Sequence, residues 1–205
     1  MLFKQITGAA LALLMAVISF ADAPDASSEL IAHLEGIEQF SAQFSQTMSG
    51  PDGELIQQAS GLAYARRPAK LRWQIESPDQ QLIIADGVKI WRYEADLAQV
   101  TVDAYTPELS AAPALLLSGD VDTIIQHYYV TGGDGSFLLT PLNDSDLFVS
   151  LQVTFQGDMM ESIVLNDGFE QTTVINFSAV DISSILSDDL FRFEAPAGVD
   201  VLHND

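Results

Sequence analysis

The strongest constraint on this chain is a rhythm. From Phe40 onward, apolar and polar residues alternate in short runs, and turn residues break the runs apart. "FSAQFSQTM" sets Phe40, Ala42, Phe44 and Gln46 on one side and the hydroxyls on the other. "GPDG" at 50–53 is a turn, and a long strand is expected from Glu54 to Ala65. "LRWQI" puts Leu71, Trp73 and Ile75 on one face and Arg72 and Gln74 on the other. "QLIIADGVKIWRY" reads as two strands joined at Asp86-Gly87, a pair that tolerates positive φ at both positions. "LAQVTVD" alternates again, and "YYVT", "SFLLTP", "LFVSLQVTF", "ESIVLN", "QTTVINF" and "FRFEAP" follow as further strands. A period of two is that of a strand with one buried face. About ten to eleven short strands so spaced imply one strongly curved antiparallel sheet, a barrel or part of one.

Helices are few. Leu30, Ile31, Leu34, Ile37 and Phe40 recur at helical spacing, so Ser27 to Phe40 reads as an amphipathic helix with Ser27 or Ser28 as its N-cap. The sheet pattern lapses only at 107–127. There Pro113 to Ser118 is expected as a short helix ended by Gly119, since proline sits well in a first turn. A second helix starts from Asp120 as N-cap and runs to about Gln126. The fold class is therefore α+β and mainly β, without internal repeat or low-complexity linker.

The N-terminus bears on the compartment. Lys4 precedes the uncharged apolar run "ITGAALALLMAVISF", and small residues follow at Ala21-Asp22-Ala23. That is the layout of a secretory signal peptide cleaved after Ala23 or Ala21, and the run is shorter than the roughly 20 residues that span a bilayer. Residues 1–23 are read as leader and 24–205 as one domain in a bacterial periplasm. The chain has no cysteine, so packing rather than disulfides must hold an exported domain together. With 29 acidic residues against eight basic ones, the net charge of −21 argues against nucleic acid and against stable residence on an anionic membrane. A monomer free in solution is expected.

Enzyme chemistry finds no support. The three histidines, at 33, 127 and 203, make no metal-binding spacing, and neither a G-x-S-x-G elbow nor a phosphate loop is present. No cofactor or metal is expected. An apolar curved sheet partly covered by helices can enclose a ligand cavity or pack a solid core, and the pattern alone leaves both open.

Several stretches in order carry a resemblance: "G-x-x-Y-A-R-R-P-A-K-L-R-W", "IIADGVKIWRYEADLAQVTV", "PALLLSGD", "FLLTP" and the closing "FRFEAPAGVDVL". With them the sequence resembles the LolA family of periplasmic lipoprotein carriers across nearly all of residues 24–205. The resemblance implies an unclosed antiparallel barrel whose apolar concave face is lidded by helices and accepts the acyl chains of a triacylated lipoprotein. It implies loading by an ATP-driven inner-membrane complex and unloading onto an outer-membrane acceptor like LolB. A carrier of another apolar ligand, such as a glycolipid, is the alternative on the same fold. Related folds also occur in periplasmic sensors that bind an anti-sigma factor, but those carry a further C-terminal domain where this sequence stops after "GVDVLHND".

The same resemblance assigns residues. Arg67, immediately before the strand-motif proline, is implied to latch the lid by hydrogen-bonding its backbone carbonyls; the alternative is a surface ion pair with one of the 29 carboxylates. Leu71, Trp73, Ile75, Trp91, Tyr93, Leu115, Leu116 and Leu117 are expected to line the acyl-chain cavity. Leu71 stands where relatives often carry phenylalanine, and Ala112 before Pro113 lacks the side-chain cap of some relatives. Six of the seven basic residues beyond the leader lie between 66 and 92. Arg66, Lys70, Arg72, Lys89 and Arg92 are expected to form a docking patch for an acidic partner, or else to balance nearby carboxylates.

Overall fold

The structure is a computed structural model and describes residues 25–105, 115–143 and 148–204. The expected leader, Ala112 and Pro113 lie outside the described residues.

Helix α1 (Ala26–Glu35) is capped by Asp25, whose carboxylate accepts the Ser28 N–H at 2.8 Å. The cap is thus the carboxylate one turn earlier, not Ser27 or Ser28. The helix also ends sooner than its apolar spacing implies, at Gly36, and Phe40 already belongs to the first strand. Leu30, Leu34, Ile37 and Phe40 still bury together, each at 1% exposure or less, because the chain keeps them on one side across the break.

The strands follow as β1 (Gln39–Ser49), β2 (Leu55–Arg66), β3 (Lys70–Ser77), β4 (Gln81–Asp86), β5 (Lys89–Glu94) and β6 (Gln99–Ala104). Next come α2 (Leu115–Ser118), α3 (Val121–His127) and a second run of β7 (Tyr128–Gly133), β8 (Ser136–Pro141), β9 (Phe148–Gln156), β10 (Met159–Asp167) and β11 (Thr172–Asp181). A 3-10 turn at Asp188–Phe191 and β12 (Asp200–Asn204) close the described chain. All twelve strands form one sheet in the order β12-β6-β5-β4-β3-β2-β1-β11-β10-β9-β8-β7. β1 joins the two meanders by pairing with β2 on one side and β11 on the other.

Three details depart from the sequence reading. "FRFEAP" is not a strand: the chain passes through the 3-10 turn and runs on without sheet pairing. The strand at this end is instead β12, and it pairs parallel to β6, so the sheet is not antiparallel throughout. In the β4–β5 hairpin only Gly87 takes positive φ, at 97°. Asp86 serves the turn differently: its Oδ1 accepts the N–H of Val88 at 2.8 Å and of Lys89 at 2.7 Å.

Curvature follows from the core. Ile90 on β5 and Phe137 on β8 belong to one buried cluster, although eight strand spacings of about 4.8 Å would set them roughly 40 Å apart in a flat sheet. The sheet therefore wraps around a common interior, while its edge strands β12 and β7 do not pair with each other. Leu30, Leu34, Leu116, Leu117 and Ile124 bring α1, α2 and α3 onto that inner face. Ile84, Val100, Val102 and Phe191 are also buried but fall outside this cluster, on the outer face of β4 to β6.

Candidate lid latch and apolar trough

Arg67 stands in the tight β2–β3 connection, where its own N–H donates to Glu38 O at 3.0 Å. Its guanidinium reaches three backbone carbonyls. Nε donates to Ile37 O at 3.2 Å, one terminal nitrogen donates to Leu116 O at 3.2 Å, and the other to Gly119 O. Two residues on, the Ala69 N–H donates to Ser118 O at 2.7 Å. Leu116, Ser118 and Gly119 are the last turn of α2 and the residue after it, whose carbonyls have no partner within so short a helix. One arginine fork and one backbone amide thus supply the donors that the helix end lacks, and tie α2 to the sheet and to the segment after α1.

Burial pulls the Arg67 pKa down to about 10, against the opposing pull of Asp120 and Tyr105. The group remains charged at neutral pH, and its hydrogen bonds are those of a partly desolvated cation. Tyr105 is shifted upward, first by burial and further by Asp120, with Arg67 acting in the opposite sense. Outside the latch opens a cleft of about 400 Å³ lined by Glu38, Gln39, Arg66, Arg67, Pro68, Gly119, Asp120 and Val121.

Behind the latch lies the inner face. Strand register puts Phe40 beside Ala65 and Leu71, and Ala42 beside Ala63 and Trp73. Trp73 stacks on Phe44 with centroids 4.0 Å apart and meets Phe177 edge-on at 6.3 Å. Leu71, Trp73, Leu116 and Leu117 are buried here, with Ile75 half-buried against them. The small residues Ala63 and Ala65 on β2 share this buried cluster with Trp73, Leu116 and Leu117. The side chain of Leu115 lies outside the described residues.

Trp91 and Tyr93 are not part of this surface. Across the hairpins Trp73 pairs with Ile83 and then Arg92, whereas Trp91 pairs with Ile84, so both aromatics point to the outer face. There Phe193 stacks on Trp91 at 5.5 Å and lies 6.0 Å from Tyr93.

The docking patch is likewise dispersed. Arg66 donates to Leu186 O at 3.1 Å, pairs with Asp188 and lies 5.2 Å over the Phe191 ring. Lys70 Nζ reaches the same Asp188 carboxylate at 3.0 Å, and Arg72 binds Gln74 with a long contact to Leu190 O at 3.5 Å. These cations hold residues 186–191 against the outer face rather than standing free. Lys89 lies 5.5 Å over the Trp91 ring, and Arg92 is on the inner face, paired with Asp103. Sequence reasoning missed this C-terminal strap; the signal was a basic-aromatic segment, "ARRPAKLRW", matched by the acidic-aromatic "SDDLFRF".

Comparison with known proteins bears on the whole arrangement. The model for the family described as outer membrane lipoprotein carrier protein LolA matches residues 35–194. The outer-membrane lipoprotein carrier protein of Hahella chejuensis is 39% identical over 175 residues, covering 82% of this chain and 84% of that protein. That of Chromohalobacter salexigens is 36% identical over 180 residues, 86% of each chain. An uncharacterized conserved protein from Thermus thermophilus of known structure has a TM-score of 0.51 at 12% identity, over 87% of this chain and 99% of that one. At that identity the last likeness concerns the fold alone.

Proposed function

Since this chain belongs to the LolA family of outer-membrane lipoprotein carrier proteins, we propose that its lidded inner face is the seat for lipoprotein acyl chains and that Arg67 sets when the lid opens. The family is one of carriers, not enzymes. Lipoprotein is accordingly the cargo. The compartment in this reading is the periplasm, reached by way of the leader at 1–23, and no helix among the described residues is long and apolar enough to cross a membrane.

The observation that carries the reading is the Arg67 fork on Ile37, Leu116 and Gly119 carbonyls. Each hydrogen bond to a charged donor contributes about 1.5–3 kcal/mol. A latch of that size holds the empty lid down yet yields to a ligand. Burying acyl chain gains about 0.8 kcal/mol per methylene, so about 14 buried methylenes contribute on the order of 11 kcal/mol. The balance runs toward opening when a chain enters. Leu71, Trp73, Ile75, Leu116 and Leu117 are the surfaces such a chain would meet once the leucines move aside.

Binding of that strength makes release into water very slow, so the cycle needs a second apolar surface at the mouth. An ATP-driven complex in the inner membrane would load the carrier, and a LolB-like acceptor at the outer membrane would receive the cargo. The arginine favours the closed empty state and thereby promotes hand-over. Arg67→Leu is expected to load lipoprotein as the wild type does but to transfer it poorly to a purified acceptor; transfer at the wild-type rate would overturn the latch.

A further inference from the structure

The end of α2 contains a second feature. Ser118 is fully buried, at 0% exposure, and its Oγ is the buried side-chain polar atom left without a hydrogen-bond partner among the described residues. Its position is not free to relax. The Ser118 carbonyl is held by Ala69 N–H at 2.7 Å, and the carbonyls of Leu116 and Gly119 on either side are held by Arg67. The residues before it in the helix, Leu116 and Leu117, are buried as well, each at 1% exposure. A hydroxyl so placed gives up its bonds to water when the lid comes down and receives nothing in return.

From this juxtaposition we propose that Ser118 is a built-in counterweight to Arg67: its unpaired hydroxyl keeps the closed lid from being too stable to open. The two residues act on one turn of helix in opposite senses. Arg67 rewards closure with donors for backbone carbonyls, and Ser118 penalises closure with a hydroxyl that only an open lid returns to water. An alanine in its place would leave the leucines and the carbonyl contacts intact while removing the penalty. The resting protein would then spend less time open, and any ligand that enters only the open form would bind more weakly in proportion. This rests on the carrier reading above for its consequence, though not for its physics.

The test uses the full chain with Ser118→Ala, alone and combined with Arg67→Leu, and two readouts. The first is amide hydrogen exchange at the α2 backbone in ligand-free protein. Ser118→Ala is expected to slow opening there on the order of tenfold, the loss of one unsatisfied buried group. The second is binding of a palmitoyl chain bearing a fluorescent dansyl group. Ser118→Ala is expected to weaken it by a similar factor in the wild-type background and hardly at all with Arg67→Leu, where the lid already stands open. A purely structural role for Ser118 would shift both backgrounds alike. Unchanged exchange at α2, or an equal effect in both backgrounds, overturns the counterweight. If exchange slows as expected but the wild type takes up no dansyl-palmitoyl chain, the counterweight stands and the acyl-carrier reading falls.

Discussion

Trp73 shows how far a single residue can be read from sequence. Alternation in "LRWQI" assigns it to the buried face, and it is there, at 4% exposure, stacked on Phe44 and edge-on to Phe177. Removing so large a ring from the inner face leaves a cavity that the sheet cannot collapse to fill. Trp73→Ala is expected to lower stability by about 3–5 kcal/mol, measured by urea unfolding. Trp91 and Tyr93 show the limit. Alternation within β5 says they share a face with each other, but not which face of the sheet that is. That depends on pairing: Ile83, between Trp73 and Arg92, fixes Trp91 to the other side, and a shift of one residue in the hairpin would have reversed it. The carbonyl contacts of Arg67 were legible only through a resemblance, since nothing in its local spacing sets them apart from a surface ion pair.

Among elements, the strap from Leu186 to Phe193 was the least readable. "F-R-F" has strand periodicity, yet its neighbours in the sheet are already paired, and the rings lie against Trp91, Tyr93 and the outer face of β3 and β4. β12 escaped for a related reason: parallel pairing to β6 needs a long return of chain, which leaves no hairpin signature. Helix α3, by contrast, was plain in sequence, because Asp120 caps it by accepting the Thr123 N–H at 3.1 Å. The strap also has a pH dependence. Arg66 and Lys70 hold the Asp188 carboxyl down to about 2, below the ordinary 3.8. A depressed carboxylate stabilises the state that holds it above the ordinary value, and that stabilisation fades as pH falls toward the lower one. Trp91 fluorescence, which reports on Phe193, is expected to show the strap loosening between about pH 4 and pH 2. Asp188→Asn should loosen it at neutral pH and flatten that acid transition.

At the scale of the described molecule, twelve strands share one interior, with helices α1, α2 and α3 set on one face and a strap on the other. Alternation predicted the sheet well because one buried face is enough to impose a period of two. It could not place the seam, since which strands end as edges is decided by pairings far apart in sequence, such as β1 with β11. The absence of cysteine offers a direct test of the moving parts. The Ala69 amide donates to the Ser118 carbonyl at 2.7 Å, and Gly119 is the next residue after that carbonyl. A chain carrying cysteine in place of both Ala69 and Gly119 is expected to lose uptake of lipoprotein on oxidation and recover it with reductant, as followed by co-elution on size exclusion. Uptake unaffected by a formed cross-link would mean that α2 does not have to move.

The gap between β12 and β7 has a mechanical consequence. A hoop sealed by hydrogen bonds all the way round has a fixed girth, and widening it means tearing a ladder. A split hoop springs. Here the curved wall can change twist and coil across its eleven strand pairings while its ends, β12 and β7, stay unjoined. Under the proposed carrier role, one wall could then grip acyl chains of differing thickness without a separate shape for each.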